Sequence, residues 1–173
     1  MKKMSNYLVL FLLMIMCLLC LGCGRENGQN GTDSGYTIYY LNASGNQLVG
    51  NPYEPQAGDQ ETLVQELMAA LNTVPTDLEC QSAIPSQVEK MSFRVEANVL
   101  HLYADANYAL MDSVKEILCR AALTKTLTQI PGIDYLTIYC AEQPITDGAG
   151  NPVGMLSASD FVDSIRDVNS FER

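Results

Sequence analysis

Between residues 92 and 104 the chain alternates strictly. Phe93 and Val95 fall on one side and Arg94 and Glu96 on the other; beyond Asn98, Leu100 and Leu102 oppose His101 and Tyr103. Two such runs with a turn-forming Asn between them predict a hairpin of strands, 92–97 and 99–104, each with one inward face. Upstream, Tyr36-Thr37-Ile38-Tyr39-Tyr40-Leu41 is rich in aromatic and β-branched residues and reads as a strand. The turn residues 42–46 lead into a short return strand at Gln47-Leu48-Val49. The spacing changes at Leu63, Val64, Leu67, Met68 and Leu71, which predicts a helix capped by Asp59 and ended by Asn72 and Pro75.

An irregular connection over 76–90 precedes the hairpin, and a second, longer helix is expected from about Met111 to Gln129. Leu110, Val114, Ile117, Leu118 and Ala121 form its expected core stripe. Leu123, Leu127 and Ile130 point to nearly the opposite side, where the C-terminal segment is the expected cover and a protein partner the alternative. Pro131-Gly132 stops the helix, and Asp134-Tyr135-Leu136-Thr137-Ile138-Tyr139-Cys140 reads as the last strand. A turn-rich loop over 147–152 follows, with Ser159 expected to cap a short final helix through Asp160, Phe161, Val162 and Ile165. The core order β-α-β-β-α-β, plus a C-terminal tail, predicts an α+β domain of the split-βαβ kind. In it a mixed or antiparallel sheet carries two helices on one face.

The first 35 residues have a different pattern. Lys2 and Lys3 precede an uncharged apolar run from Tyr7 to Gly22, short for a bilayer span and suited to the core of a signal peptide. The run ends in Leu19-Cys20-Leu21-Gly22-Cys23, which resembles the lipobox of bacterial lipoproteins. Leu is usual where this chain has Cys20. The resemblance implies cleavage before Cys23 and a diacylglycerol on its thiol, which would place the mature protein outside the cytoplasm. From Gly24 to Gly35 the chain is Gly-rich and polar, with no apolar side chain, and is expected to serve as a tether with a reach of about 20 Å. The expected organisation is therefore signal peptide 1–22, lipidated Cys and tether 23–35, and one domain 36–173.

Charge narrows the partners. Loss of Lys2 and Lys3 leaves eight basic residues against 20 acidic ones, so the formal charge of −10 becomes −12. The basic residues are scattered singly. Nucleic acid is not an expected partner, nor is an anionic surface held through a basic patch.

Chemistry-bearing residues are sparse. Of six Cys, Cys17 and Cys20 leave with the signal peptide and Cys23 is acylated, leaving Cys80, Cys119 and Cys140 with no CxxC spacing. Whether two of them bridge is open. His101 is the single histidine, which rules out a His-rich zinc site. Asp105 and Asp112 bracket a helix start, where carboxylates meet the helix dipole favourably, so a structural reading suffices for them. No metal, cofactor or catalytic residue is expected.

The opening strand with Leu48-Val49, the helix Leu63–Leu71, Ser82-Ala83-Ile84-Pro85, the alternating hairpin and Leu123-Thr124-Lys125-Thr126-Leu127-Thr128 together resemble the GerMN domain of sporulation and spore-germination lipoproteins. The final strand leading to Asp147-Gly148 is also similar, and the resemblance covers roughly 36–150. It implies a non-catalytic assembly or recognition module at the outer face of a membrane, with an envelope protein as partner. Candidate contact residues on the outward hairpin face are Arg94, Glu96, His101 and Tyr103. The alternative is a lipoprotein that captures a wall fragment or small solute through Tyr residues on its strands. A flat sheet face or an unpaired edge strand favours the protein partner, and a deep aromatic cleft favours the ligand.

Overall fold

The structure is a computed structural model and describes residues 35–76 and 78–161. The expected signal peptide, Cys23, the expected tether up to Ser34 and the part of the expected final helix beyond Phe161 lie outside the described residues. Among the described residues, seven strands and two α-helices follow in the order β1 (Tyr36–Asn42), β2 (Leu48–Tyr53), α1 (Gln60–Asn72), β3 (Cys80–Gln81), β4 (Met91–Glu96), β5 (Val99–Ala104), α2 (Ser113–Leu127), β6 (Tyr135–Cys140) and β7 (Gln143–Pro144). The α+β class and the β-α-β-β-α-β core order hold.

The strands divide between two sheets, ordered β2-β1-β3 and β4-β5-β6-β7. In the second, β4 and β5 form the expected antiparallel hairpin, and β5 runs parallel to its direct neighbour β6. Parallel neighbours need a long crossover, and α2 supplies it. Ala97, the first residue of the two-residue hairpin loop, has φ +54°; a positive φ there alone is the pattern of a type II′ turn.

Helix α1 forms as its sequence predicts. Asp59 accepts a hydrogen bond from the Thr62 N–H at 3.0 Å, and Leu63, Val64, Leu67, Met68 and Leu71 are buried. A cap of this type contributes about 1 kcal/mol. Asp112 caps α2 by accepting from the Lys115 N–H at 3.0 Å.

The expected stripe of α2 is largely on the wrong side. Leu110, Val114 and Ile117 are 75%, 62% and 48% exposed. Little covers them among the described residues, although Ile117 lines a hollow beside β6. Farther along, residues 121 to 127 are all buried, and Leu123, Leu127 and Ile130 belong to the main core. There α2 packs between α1, β1 and β6. A helix enclosed on every side has no single apolar stripe.

Three smaller differences share a cause in weak local signals. β2 runs on to Tyr53, through Gly50 and Pro52. Pro52 lies opposite Thr37, whose N–H and C=O turn away from β2 toward α2, so no ladder bond is lost. The two-residue strands β3 and β7 lie where the pattern predicts only loop. The last turn begins at Ser157 rather than Ser159: Asp160 accepts from the Ser157 N–H at 2.6 Å, and a single 3-10 turn spans Ala158–Asp160. Leu156 pairs with Leu136 at the start of β6, which brings this tail to the sheet.

Candidate functional site

Alternation gives the four-stranded sheet two faces. Phe93, Val95, Leu100, Leu102, Leu136 and Ile138 point to the core. The opposite face is built of three rows set by the strand register: Ser92, Tyr103 and Tyr139; Arg94, His101 and Thr137; Glu96, Val99 and Tyr135. All four expected contact residues lie on this face, side by side. Thr137, Tyr135 and Tyr139 join them from β6, which the sequence alone does not place. Only a crossover brings β6 beside β5, and nothing local in the chain encodes that adjacency.

The face is held together by its own contacts. Tyr103 and Tyr139 stack with ring centroids 5.0 Å apart and planes 18° from parallel. The His101 ring lies 6.0 Å from Tyr139 and its Nδ1 is 2.7 Å from the Thr137 hydroxyl. Arg94 and Glu96 form an ion pair, and His101 Nε2 lies 3.7 Å from Glu96. Burial of the ring, with Arg94 nearby, lowers the His101 pKa. At neutral pH His101 is therefore neutral, a ring in a polar and aromatic surface. The surface formed is polar and aromatic, with the two stacked Tyr rings side by side on neighbouring strands.

Two hollows lie elsewhere. One, of about 670 Å³, opens at the C-terminal ends of the parallel strands, between Tyr108, Met111 and Ile117 on one side and Cys140, Ala141 and Pro144 on the other. Within it Glu116 accepts from the Tyr108 hydroxyl at 3.0 Å and pairs with Arg120 at 3.1 Å. Burial raises the Tyr108 pKa far above its ordinary value, so the phenol stays protonated. The second, about 310 Å³, separates α1 from β4 and is bordered by Met68, Ile84, Val88, Met91 and Phe93.

Among the described residues, neither hollow holds a Cys or Ser hydrogen-bonded to a carboxylate or imidazole. Cys80, Cys119 and Cys140 are free thiols. Burial, with Glu116 adding to it, pushes Cys119 up to about 12, leaving an inert core thiol. Cys140 donates to the Asp105 carbonyl. Asp105 itself accepts from the N–H groups of Lys90, Glu89 and Asn107, which lowers its pKa and accounts for it structurally. Among the described residues, no group of His, Cys, Asp and Glu could hold a metal ion.

One feature missed by pattern reading sits at the end of α2. The edge of β1 beyond the reach of β3 is hydrogen-bonded by side chains instead of a strand. The Gln129 amide accepts from the Thr37 N–H at 2.9 Å and donates to the Thr37 carbonyl at 2.8 Å, as a neighbouring strand would. The fully buried Thr126 accepts from the Tyr39 N–H at 3.2 Å through its hydroxyl oxygen. Lys125 lies over the Tyr39 ring, 5.2 Å from its centroid. These polar residues join the helix to the first sheet.

Sequence and fold comparisons agree on what this arrangement is. Residues 37–146, well over half of the chain, match the Germane family, described as sporulation and spore germination. The chain belongs to that family. Its GerMN fold is similar to the first GerMN domain of the sporulation protein GerM from Bacillus subtilis, at a TM-score of 0.58 and 16% identity, over 73% of this chain and 98% of that one. The tandem GerMN domains of the same protein match at a TM-score of 0.56 and 15% identity, over 76% of this chain. The match takes in 51% of the tandem chain, the extent of one of its two domains. A protein of Clostridium perfringens described as a candidate lipoprotein matches at 0.50 and 17% identity, over 79% of this chain and all of that one. Among curated proteins none matches this sequence. The joint at Thr126 and Gln129 and the open sheet face both lie within the GerMN region.

Proposed function

We propose that this protein is a lipid-anchored GerMN module without catalytic activity. It acts by protein contact at the outer face of the cell membrane, in sporulation or spore germination. The observation that carries this reading is the four-stranded sheet, which leaves an aromatic and charged face and one edge strand uncovered among the described residues. Stacked Tyr rings of this kind supply rigid contact area with little side-chain entropy to lose. The lipobox-like Leu21-Gly22-Cys23 supports anchoring, as does the resemblance in fold to a candidate lipoprotein. Among the described residues no helix is long and apolar enough to cross a membrane. Confinement to a surface raises the effective concentration of both partners, so a weak contact suffices.

Crosslinking of the intact protein in its membrane, followed by recovery and comparison with Cys23→Ala, tests this reading. An envelope protein recovered only from the anchored form supports it. Turnover of a wall substrate with no partner recovered would overturn it. The alternative, capture of a wall fragment or small solute, is favoured by one observation: the hollow of about 670 Å³ has the size of a ligand site and lies beyond the carboxyl ends of parallel strands. Binding of such a fragment that is lost in Ile117→Asp, and untouched by changes on the sheet face, would decide for it.

A further inference from the structure

Strand β4 is the edge of the four-stranded sheet, and its free side has a definite pattern. The Asp105 N–H donates to the Lys90 carbonyl at 3.1 Å, continuing the β4–β5 ladder by one pair. That bond fixes the phase: Lys90, Ser92, Arg94 and Glu96 turn their N–H and C=O groups toward β5, and Met91, Phe93 and Val95 turn theirs outward. No described residue hydrogen-bonds these outward groups. An edge of this length is a template for another strand unless its side chains forbid it.

The side chains and the length of the strand favour one register. We propose that β4 pairs with β4 of a second copy, antiparallel about a two-fold axis at Phe93, so that the two four-stranded sheets become continuous. In this register Met91 is opposite the second copy's Val95, and the outward backbone groups meet in hydrogen-bonded pairs. On the outer face Lys90 is opposite the second copy's Glu96, and Arg94 is opposite its Ser92. Both are non-hydrogen-bonded pairs, where side chains come closest. The register two steps along in one sense sets Arg94 against Arg94; in the other, Lys90 faces Arg94. Like charges directly opposite are destabilising, and a register centred on Val95, which sets Arg94 against Glu96, pairs only residues 93–97 and runs into the turn; charge and strand length together select the register centred on Phe93. On the core side, Met91 and Phe93 border the hollow beside α1, and the second copy's Phe93 would arrive at its rim. Lys90 and Glu96 are exposed, so both can reach across the seam, Glu96 while still paired with Arg94.

This pairing does not depend on what the open face binds. It is tested on the full chain purified from membranes in a non-ionic detergent. Sedimentation should show a monomer–dimer equilibrium. Lys90→Glu should weaken association by about tenfold through two new repulsions, and Lys90→Glu with Glu96→Lys should restore it. Chains carrying Ser92→Cys mixed with chains carrying Arg94→Cys should form a disulfide dimer on oxidation, several times above either variant alone or the native background. The proposal is overturned by a monomer at every concentration, by equal crosslinking of Ser92→Cys alone, or by indifference to the charge reversal. Circular dichroism of each variant confirms that the fold is kept.

Discussion

Replacing Thr126 by Val changes one atom group at a fully buried position and should loosen the first sheet. The Thr126 hydroxyl is the partner of the Tyr39 N–H, at 3.2 Å, on an edge that no strand covers at that point. Val keeps the shape and puts a methyl group against that N–H. Leaving such a donor unpaired costs about 1–3 kcal/mol, and the added apolar burial returns up to about 0.8 kcal/mol. The net loss is about 1–2 kcal/mol, a fall in Tm of roughly 5 °C for a domain of this size. Thr126→Ser keeps the oxygen and loses a methyl, at about 1 kcal/mol for the small void. The two variants are separated by amide hydrogen exchange: the Tyr39 N–H should exchange faster in the Val variant and stay protected in the Ser variant. A Val variant as stable as the parent, or with an unchanged Tyr39 exchange rate, would refute the role assigned to this hydroxyl.

Other changes test other parts of the structure. Ala97→Gly should stabilise by about 0.5–1 kcal/mol in chemical denaturation, because the left-handed backbone at φ +54° strains Ala and not Gly. Val114→Gln should shift stability by less than about 0.5 kcal/mol, whereas Leu123→Ala should cost about 2–5 kcal/mol. The reverse order would restore the stripe read from the sequence. His101 has a pKa lowered by folding, so the unfolded chain binds its proton first as pH falls. Its contribution to stability is complete above the ordinary His pKa of about 6.5 and is lost on acidification from there down to the folded value. In His101→Gln, urea unfolding should lose that part of the slope between neutral and mildly acid pH.

Much of this fold was legible because its signals are local. Strict alternation in the hairpin fixed which residues face out, and those four residues do share one surface. Asp59 and the spacing of Leu63 to Leu71 placed α1 with its buried side. The failure at α2 has a physical origin. Leu110, just ahead of the helix, and Val114 and Ile117 in its first turns are exposed, so their spacing mimics a core stripe in solvent. Its last turns are enclosed on all sides, so Thr124, Lys125 and Thr126 are buried although their composition reads as surface. Thr126 is satisfied by Tyr39, across 87 residues of chain, and no local window contains both. Tyr139 joins the candidate face, and β4 is its free edge, for the same kind of reason: strand neighbours are a property of the crossover.

A photo-reactive amino acid at Tyr103, in the full chain expressed in its own cells, tests the central claim most directly, with the same group at exposed Gln65 on α1 as the control. Irradiation should join the Tyr103 position, and not the Gln65 position, to one envelope protein, and the product should vanish with Cys23→Ala. Equal products from both positions, or a full yield without Cys23, would contradict the account of a lipid-anchored module that works through its open sheet face.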